Sequence, residues 1–179
     1  MPNLAFLSLG SNIQPEKNLP KAVQKLAQSG RLVAVSPVWE TLPLGTTKNQ
    51  PNFLNAATLI ETDRTPETFK AEVIRRIEDD LGRVRTEDKF APRPIDIDIM
   101  FFNDQVFDVD NRHIPDPEVL ERPFVAIPLA EIAPDYRHPE TGQTLRDIAQ
   151  SFTVSEAEMR LHPNLSQVLT GYVTKTIDN

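Results

Sequence analysis

Two aspartates, Asp96 and Asp98, stand two residues apart in the run Ile95-Asp96-Ile97-Asp98-Ile99. Apolar and acidic residues alternate strictly there, and in a strand successive side chains point to opposite faces. The alternation predicts one face of Ile95, Ile97, Ile99 and Phe101, packed on helices, and a second face carrying both carboxylates. At roughly 3.3 Å per residue their Cα atoms lie about 7 Å apart, so their oxygens can converge on a pair of cations about 3.5–4 Å apart. Aspartate is a poor strand former and two like charges on one face repel; a bound metal removes that penalty. The chain has no cysteine and only three scattered histidines, His113, His138 and His162. Hard oxygen ligands suit Mg²⁺ rather than zinc.

A cationic cluster precedes the pair: Arg83, Arg85, Lys89 and Arg93 fall within eleven residues. Cations directly beside paired carboxylates suit a polyphosphate with bound metal ions. The bland alternatives are a solvated, salt-bridged loop and a sheet face that is merely wet. A third group of residues suits a flat heterocycle. Phe53 and Asn55 share parity in Phe53–Thr62, one offering a stacking face and the other a carboxamide for an amide-like ring edge. Phe124, after Arg122-Pro123, offers a second flat face, and Thr41-Leu42-Pro43-Leu44-Gly45 offers backbone groups nearby. Two phenylalanines are more often core; a buried asparagine is the more telling residue, because its amide needs partners.

Composition narrows the remaining classes. The 179 residues, 39% hydrophobic and 25% charged, suit one domain with a packed core. The absence of cysteine excludes disulfides, thiolate metal sites and cysteine nucleophiles. Six separated glycines form neither a P-loop nor a dinucleotide fingerprint, so a nucleotide would have to be held without either. No run approaches the roughly 20 apolar residues of a membrane span, and no secretory signal pattern opens the chain, so a cytoplasmic protein is expected. The net charge of −7 argues against a nucleic-acid partner. That average hides a contrast, since residues 61–150 carry 21 acidic side chains and twelve of the basic ones.

The elements that must position these residues are legible in the patterning. Leu4–Leu9 reads as a buried strand, and Leu19, Ala22, Val23, Leu26 and Ala27 as one helix face. Arg31–Trp39 reads as a strand in which Pro37 marks an edge or bulge. After the loop Glu40–Pro51 comes the strand Phe53–Thr62. Thr65-Pro66-Glu67 opens a helix whose Phe69, Val73, Ile77 and Leu81 share a face, and Gly82 closes it. Ile95–Phe102 is the last strand; short helices follow at Pro128 within Phe124–Ala133 and at Leu145–Gln150. The order β-α-β-β-α-β specifies an α+β, ferredoxin-like fold: an antiparallel sheet with both helices on one face, plus C-terminal elements. Residues 1–150 are expected to form the functional domain and 151–179 an extension, a short docked helix or a frayed tail with Leu165, Val168, Leu169 and Tyr172 at helical spacing.

Taken in order, several segments resemble the 6-hydroxymethyl-7,8-dihydropterin pyrophosphokinase family of folate biosynthesis. They are Leu9-Gly10-Ser11-Asn12, Thr41–Gly45, Gln50–Ala57, Gly82-Arg83-Val84-Arg85, Pro92–Met100, Glu121–Phe124 and Pro128–Pro134. The resemblance implies transfer of pyrophosphate from ATP to a reduced pterin with release of AMP, and two Mg²⁺ ions held by Asp96 and Asp98. It implies a pterin sandwiched by Phe53 and Phe124, paired with Asn55 and contacted by Thr41, Leu42 and Leu44. It places Glu78, Arg83, Arg85, Arg93, Asp116 and Arg122 on the ATP side, with Arg83 and Arg93 catalytic, and makes 83–92 a loop that closes over the substrates. Asp116 stands where the family commonly has the histidine of a Pro-His pair, and Phe90 where many members have tryptophan. A monomer is expected, with small molecules as its only partners. Two other readings are open to these residues: another two-metal phosphotransfer enzyme, which needs neither Phe53, Asn55 nor Phe124, and a non-enzymatic ferredoxin-like module binding a small ligand.

Overall fold

The computed structural model of the chain describes residues 1–45 and 49–177; positions 46–48 of the expected loop lie outside the described residues. The chain runs β1 (Asn3–Ser11), α1 (Pro15–Ser29), β2 (Arg31–Val35), β3 (Trp39–Thr41) and β4 (Phe53–Thr62). A continuous helical run follows, α2 (Pro66–Phe69), a π-helical turn Lys70–Ile74 and α3 (Arg75–Asp80), then β5 (Asp96–Phe102). The hairpin β6 (Phe107–Val109) and β7 (Arg112–Ile114) leads to α4 (Glu118–Glu121), α5 (Pro123–Ile132), α6 (Leu145–Gln150), β8 (Met159–Leu161) and α7 (Pro163–Ile177).

The antiparallel sheet has the order β5-β1-β4-β3-β8, with β2 beside β3 on the same edge of β4. This is the expected ferredoxin-like arrangement, extended by one strand. The single strand expected over Arg31–Trp39 is broken between β2 and β3. Pro37 has no N–H for a ladder. Ser36 compensates: its N–H donates to the Ala57 carbonyl at 2.9 Å, and its hydroxyl accepts from the Ala57 N–H at 2.8 Å.

Helices cover both faces of the sheet, and this goes beyond the expected layout. On one face α1, the α2–α3 run and α7 pack on Leu7, Leu9, Ile60, Ile95, Ile97 and Ile99. On the other, α4–α6 bury Phe6, Ala57, Leu59, Met100 and Phe101. Phe101 departs from the expected parity. The β1–β5 register pairs Phe6 with Phe101 but Leu7 with Ile99, leaving Met100 as the extra residue of a bulge. The bulge turns Phe101 to the second face, edge-on to Phe6 at 5.7 Å between ring centroids, and hands the first face to Phe102. α5 also begins earlier than expected, because Pro123 occupies its first turn, where a missing N–H costs nothing. α4–α6 cover only part of the second face. The stretch around Ser8, Gly10, Asn55, Asp96 and Asp98 remains as the floor of a cavity. Among the described residues no helix is long and apolar enough to cross a membrane.

Candidate active site

The cavity has a volume of about 470 Å³. Its floor is set by sheet register. Gly10 pairs with Asn55 on one side and Asp96 on the other, and Ser8 lies between Ala57 and Asp98. Directly paired strand residues share a face, so the carboxylates and the amide emerge into one space. Glycine at position 10 keeps that space open: a Cβ there would lie 3.2 Å from Asn55 Oδ1 and 3.7 Å from the Phe53 ring.

One end is apolar and largely neutral. Phe53, Phe124, Thr41, Leu42, Leu44 and Asn55 line it. Asn55 is buried, and its Nδ2 donates to Thr41 Oγ1 at 2.8 Å, which orients the amide. Phe124 enters from the first turn of α5, next to Arg122 at the helix N-cap. Leu42 and Leu44 stay exposed on the loop after β3. Gly45 (φ +60°) lies against the Phe90 ring, where an added Cβ would come within 2.6 Å of a ring carbon. Gln50 Nε2 also donates to the Phe90 carbonyl at 3.0 Å. The 83–92 loop is thereby joined to the loop after β3 across the cavity mouth.

The other end is charged. Asp96 accepts from Arg93 at 2.9 Å and also from Arg83. Asp98 accepts from Arg112, whose other terminal nitrogen donates to Asp116 at 2.8 Å. Burial, then the neighbouring Asp96 charge, pushes the Asp98 carboxyl up to about 7. Lys89, Glu118 and Arg122 complete this end. Burial and the Asp116 charge raise the Glu118 carboxyl above its ordinary value. Arg122 Nε is buried with no hydrogen-bond partner among the described residues. Arg83 and Arg85 border an adjoining cavity of about 210 Å³, which shares Lys89 and Arg93 with the larger one.

Two residues expected on the ATP side do not line either cavity. Glu78 is buried beneath β5, where it accepts from the Ile97 N–H at 3.0 Å, Arg85 at 2.7 Å and Arg83 at 3.4 Å. Burial raises its pKa in spite of those donors. Asp116 is buried as well, holding Arg112 and accepting from the Glu118 N–H at 3.0 Å. In this arrangement both acids are engaged by arginines and backbone N–H groups behind the cavities. His113 points elsewhere, to Asp108 and Glu140 at 3.0 and 2.8 Å.

The residues that sequence reasoning passed over are Ser8, Asn12, Arg112 and Glu118. Asn12 ends the segment Leu9-Gly10-Ser11-Asn12, and its contacts are set by the tertiary structure. Its Oδ1 accepts from the Arg93 N–H at 2.8 Å, its own N–H donates to the Arg93 carbonyl at 3.1 Å, and its Nδ2 donates to Gln50 at 2.7 Å. Ser11 Oγ adds a bond to the Pro94 carbonyl at 2.6 Å. Arg112 carried one faint signal, a cation three residues before the Pro115-Asp116 pair.

The sequence profile of the 7,8-dihydro-6-hydroxymethylpterin-pyrophosphokinase (HPPK) family matches residues 6–134. The chain belongs to this family. It is 40% identical over 135 residues to the 2-amino-4-hydroxy-6-hydroxymethyldihydropteridine pyrophosphokinase of Bacillus subtilis, covering 74% of this chain and 79% of that one. The enzyme of the same name from Pseudomonas aeruginosa is 35% identical over 139 residues, 75% of this chain and 83% of its own. The folic acid synthesis protein fol1 of Pneumocystis carinii is 38% identical over 142 residues, 78% of this chain; the match spans 19% of that longer protein. Among solved structures, Plasmodium falciparum HPPK-DHPS with pteroate superposes with a TM-score of 0.68 at 16% identity, over 84% of this chain and 44% of that one. That likeness bears on the fold, and it places the HPPK chain on a ferredoxin-like frame.

Proposed function

We propose that this HPPK chain transfers the pyrophosphoryl group of ATP to the hydroxymethyl oxygen of 6-hydroxymethyl-7,8-dihydropterin. The observation that carries the reading is the continuity of one cavity from Phe53, Asn55 and Phe124 to Asp96 and Asp98 across Gly10. A flat ring that hydrogen-bonds at the Asn55 end brings a substituent toward the carboxylates. The hydroxymethyl oxygen attacks the β-phosphorus in line, the bond to the α,β-bridging oxygen breaks, and AMP leaves with that electron pair. The hydroxyl proton passes from the attacking oxygen to solvent water in the same process.

The carboxylate pair fits Mg²⁺. Two aspartates on one strand face, half-buried, with burial and the Asp96 charge raising the proton affinity of Asp98, are hard-oxygen donors whose repulsion a cation relieves. Two protein carboxylates leave the remaining positions for phosphate oxygens and water, the usual arrangement for Mg²⁺. Two ions are proposed there, and when bound they supply neutralisation of phosphate charge and a more acidic attacking hydroxyl. The chain's own residues do the positioning. Phe53, Phe124 and Asn55 hold the ring, with Thr41, Leu42 and Leu44 at its edge. Arg93, Arg83, Lys89 and Arg122 face the polyphosphate, with Arg85 at its outer side. Glu78 and Asp116 act behind them, fixing Arg83, Arg85 and Arg112. All the residues given roles here belong to one chain, so a monomer suffices for the proposed reaction, and the substrates are those of a cytoplasmic biosynthetic step. Phosphoryl transfer requires mainly alignment and charge stabilisation, and this arrangement supplies both.

The test is AMP formation from ATP with and without the reduced pterin, then with EDTA. Pterin-dependent AMP that disappears on chelation is expected. AMP formed equally without the pterin would point instead to a different phosphotransfer enzyme, and ligand binding without AMP to a binding module.

A further inference from the structure

The family match ends at residue 134, and β8 with α7 lies beyond it. This segment is built into the sheet. Met159–Leu161 pairs antiparallel with Trp39–Thr41, so that Met159 stands opposite Thr41 and Arg160 opposite Glu40. The His162 N–H donates to the Val38 carbonyl at 2.8 Å, and the Val38 N–H donates to Ser166 Oγ at 2.8 Å. Leu165 and Leu169 of α7 are buried in the same core as β1 and β4.

One contact reaches toward the heterocycle end. Arg160 donates to Glu40 Oε2 at 2.8 Å, and Glu40 Oε1 accepts from Asn52 Nδ2 at 3.1 Å. Glu40 immediately precedes Thr41, and Asn52 immediately precedes Phe53. Thr41 and Phe53 are themselves paired across β3 and β4. The chain Arg160–Glu40–Asn52 therefore clamps, from behind, the two strand ends that present Thr41 and Phe53 to the cavity. Thr41 and Leu42 form a shared wall: they line the main cavity and also a second one, of about 170 Å³, that Arg160 borders.

We infer that Arg160 is a positioning residue for pterin binding, acting through Glu40 and Asn52, and that the C-terminal segment is part of the substrate site's framework. The inference rests on the pterin reading of the cavity given above. Arg160 touches neither cavity end that holds phosphate, so its effect is confined to the ring. Its side chain is 65% exposed, and an exposed ion pair contributes little to global stability, so its removal leaves the fold intact.

The experiment compares wild type, Arg160→Ala, Arg160→Lys and Glu40→Gln. The readouts are steady-state kinetics, thermal unfolding and calorimetric titration of the reduced pterin in the presence of Mg²⁺ and a non-hydrolysable ATP analogue. Arg160→Ala is expected to raise the pterin KM and Kd about three- to fivefold, the upper end for one exposed ion pair, with kcat and the ATP KM within about 1.5-fold. Arg160→Lys, which keeps a donor to Glu40, recovers most of the loss, and Glu40→Gln reproduces part of it. Unchanged pterin affinity in Arg160→Ala, beside a wild type that binds normally, overturns the inference and leaves the proposed function standing. So does a fall of kcat and melting temperature with both KM values raised, in Arg160→Ala and Arg160→Lys alike. A wild type that does not bind the pterin overturns the inference together with the proposed function.

Discussion

The two ends of the cavity are built by different physics. At the ring end, Phe53, Asn55 and Thr41 sit on paired strands, and the key polar contact, Asn55 to Thr41 at 2.8 Å, is neutral. At the phosphate end the carboxylates are on β5, but most of the cations facing them come from the segment after α3 and from the β7–α5 region. The cavity-facing carboxylates there are held by ion pairs, Arg93 and Arg83 with Asp96, and Arg112 with Asp98 and with Asp116 behind it. Packing and ladder hydrogen bonds shape a rigid slot. Ion pairs make a site whose charges can exchange partners, as the proposed binding of a polyphosphate with its cations requires. The first end is suited to affinity for a rigid ring, the second to stabilising charge that develops during reaction.

The sharpest division of this kind is expected at Asp98. Asp98→Ala should reduce kcat by about a thousandfold or more if the carboxylate pair holds the cations as proposed, since Asp96 alone leaves them half their protein ligands. Pterin affinity measured by calorimetry should change little; a variant with near-normal turnover would remove the metal assignment. Arg93→Ala is next, with kcat down about a hundred- to a thousandfold, the cost of one preorganised donor to transition-state charge. Stopped-flow or steady-state AMP release would read it, and a loss confined to KM would make Arg93 a simple binding residue.

Phe53→Ala should act on the other side of the division. Losing one stacking face is worth roughly 1–3 kcal/mol, so pterin Kd should rise about five- to a hundredfold with a smaller effect on kcat. Equal damage to both constants would show that the ring end also controls alignment. The smallest effect is expected from Glu78→Gln, read as melting temperature against pH. Burial raises the Glu78 pKa above 4.5 in the folded chain. The folded state therefore holds this proton more tightly than the unfolded state, and stability is lost as pH climbs from about 4.5 through the raised value. The variant should lack that part of the slope. A wild-type and variant pair with parallel profiles would mean that Arg83 and Arg85 fully compensate the buried charge.

The ring end was more readable than the phosphate end. Parity within Phe53–Thr62 put Phe53 and Asn55 on one face, and local alternation did the same for Asp96 and Asp98. The same parity rule failed at Phe101, because a bulge at Met100 depends on the partner strand and leaves no mark in β5 itself. Likeness places Glu78 and Asp116 on the ATP side, and the structure buries both behind arginines. Whether an acid faces a ligand or an arginine depends on burial, and burial is a property of the assembled layers. β8 was missed for a related reason. Three residues, Met159–Leu161, carry too little periodicity to register as a strand until β3 offers an open edge.

The order of elements, the absence of a glycine-rich phosphate loop and the juxtaposition of arginines with a carboxylate pair were determined by the sequence alone. They follow from short-range rules: side-chain period, capping chemistry and the donors each residue type possesses. Only the tertiary structure decided which charges confront each other. It brought Arg112 to Asp98, set Asn12 behind Arg93 and laid Arg160 against Glu40, 120 residues away in the chain. Such pairings arise from how strands register and layers close, and the energy that selects them is spread over the whole core, with no local pattern to announce it.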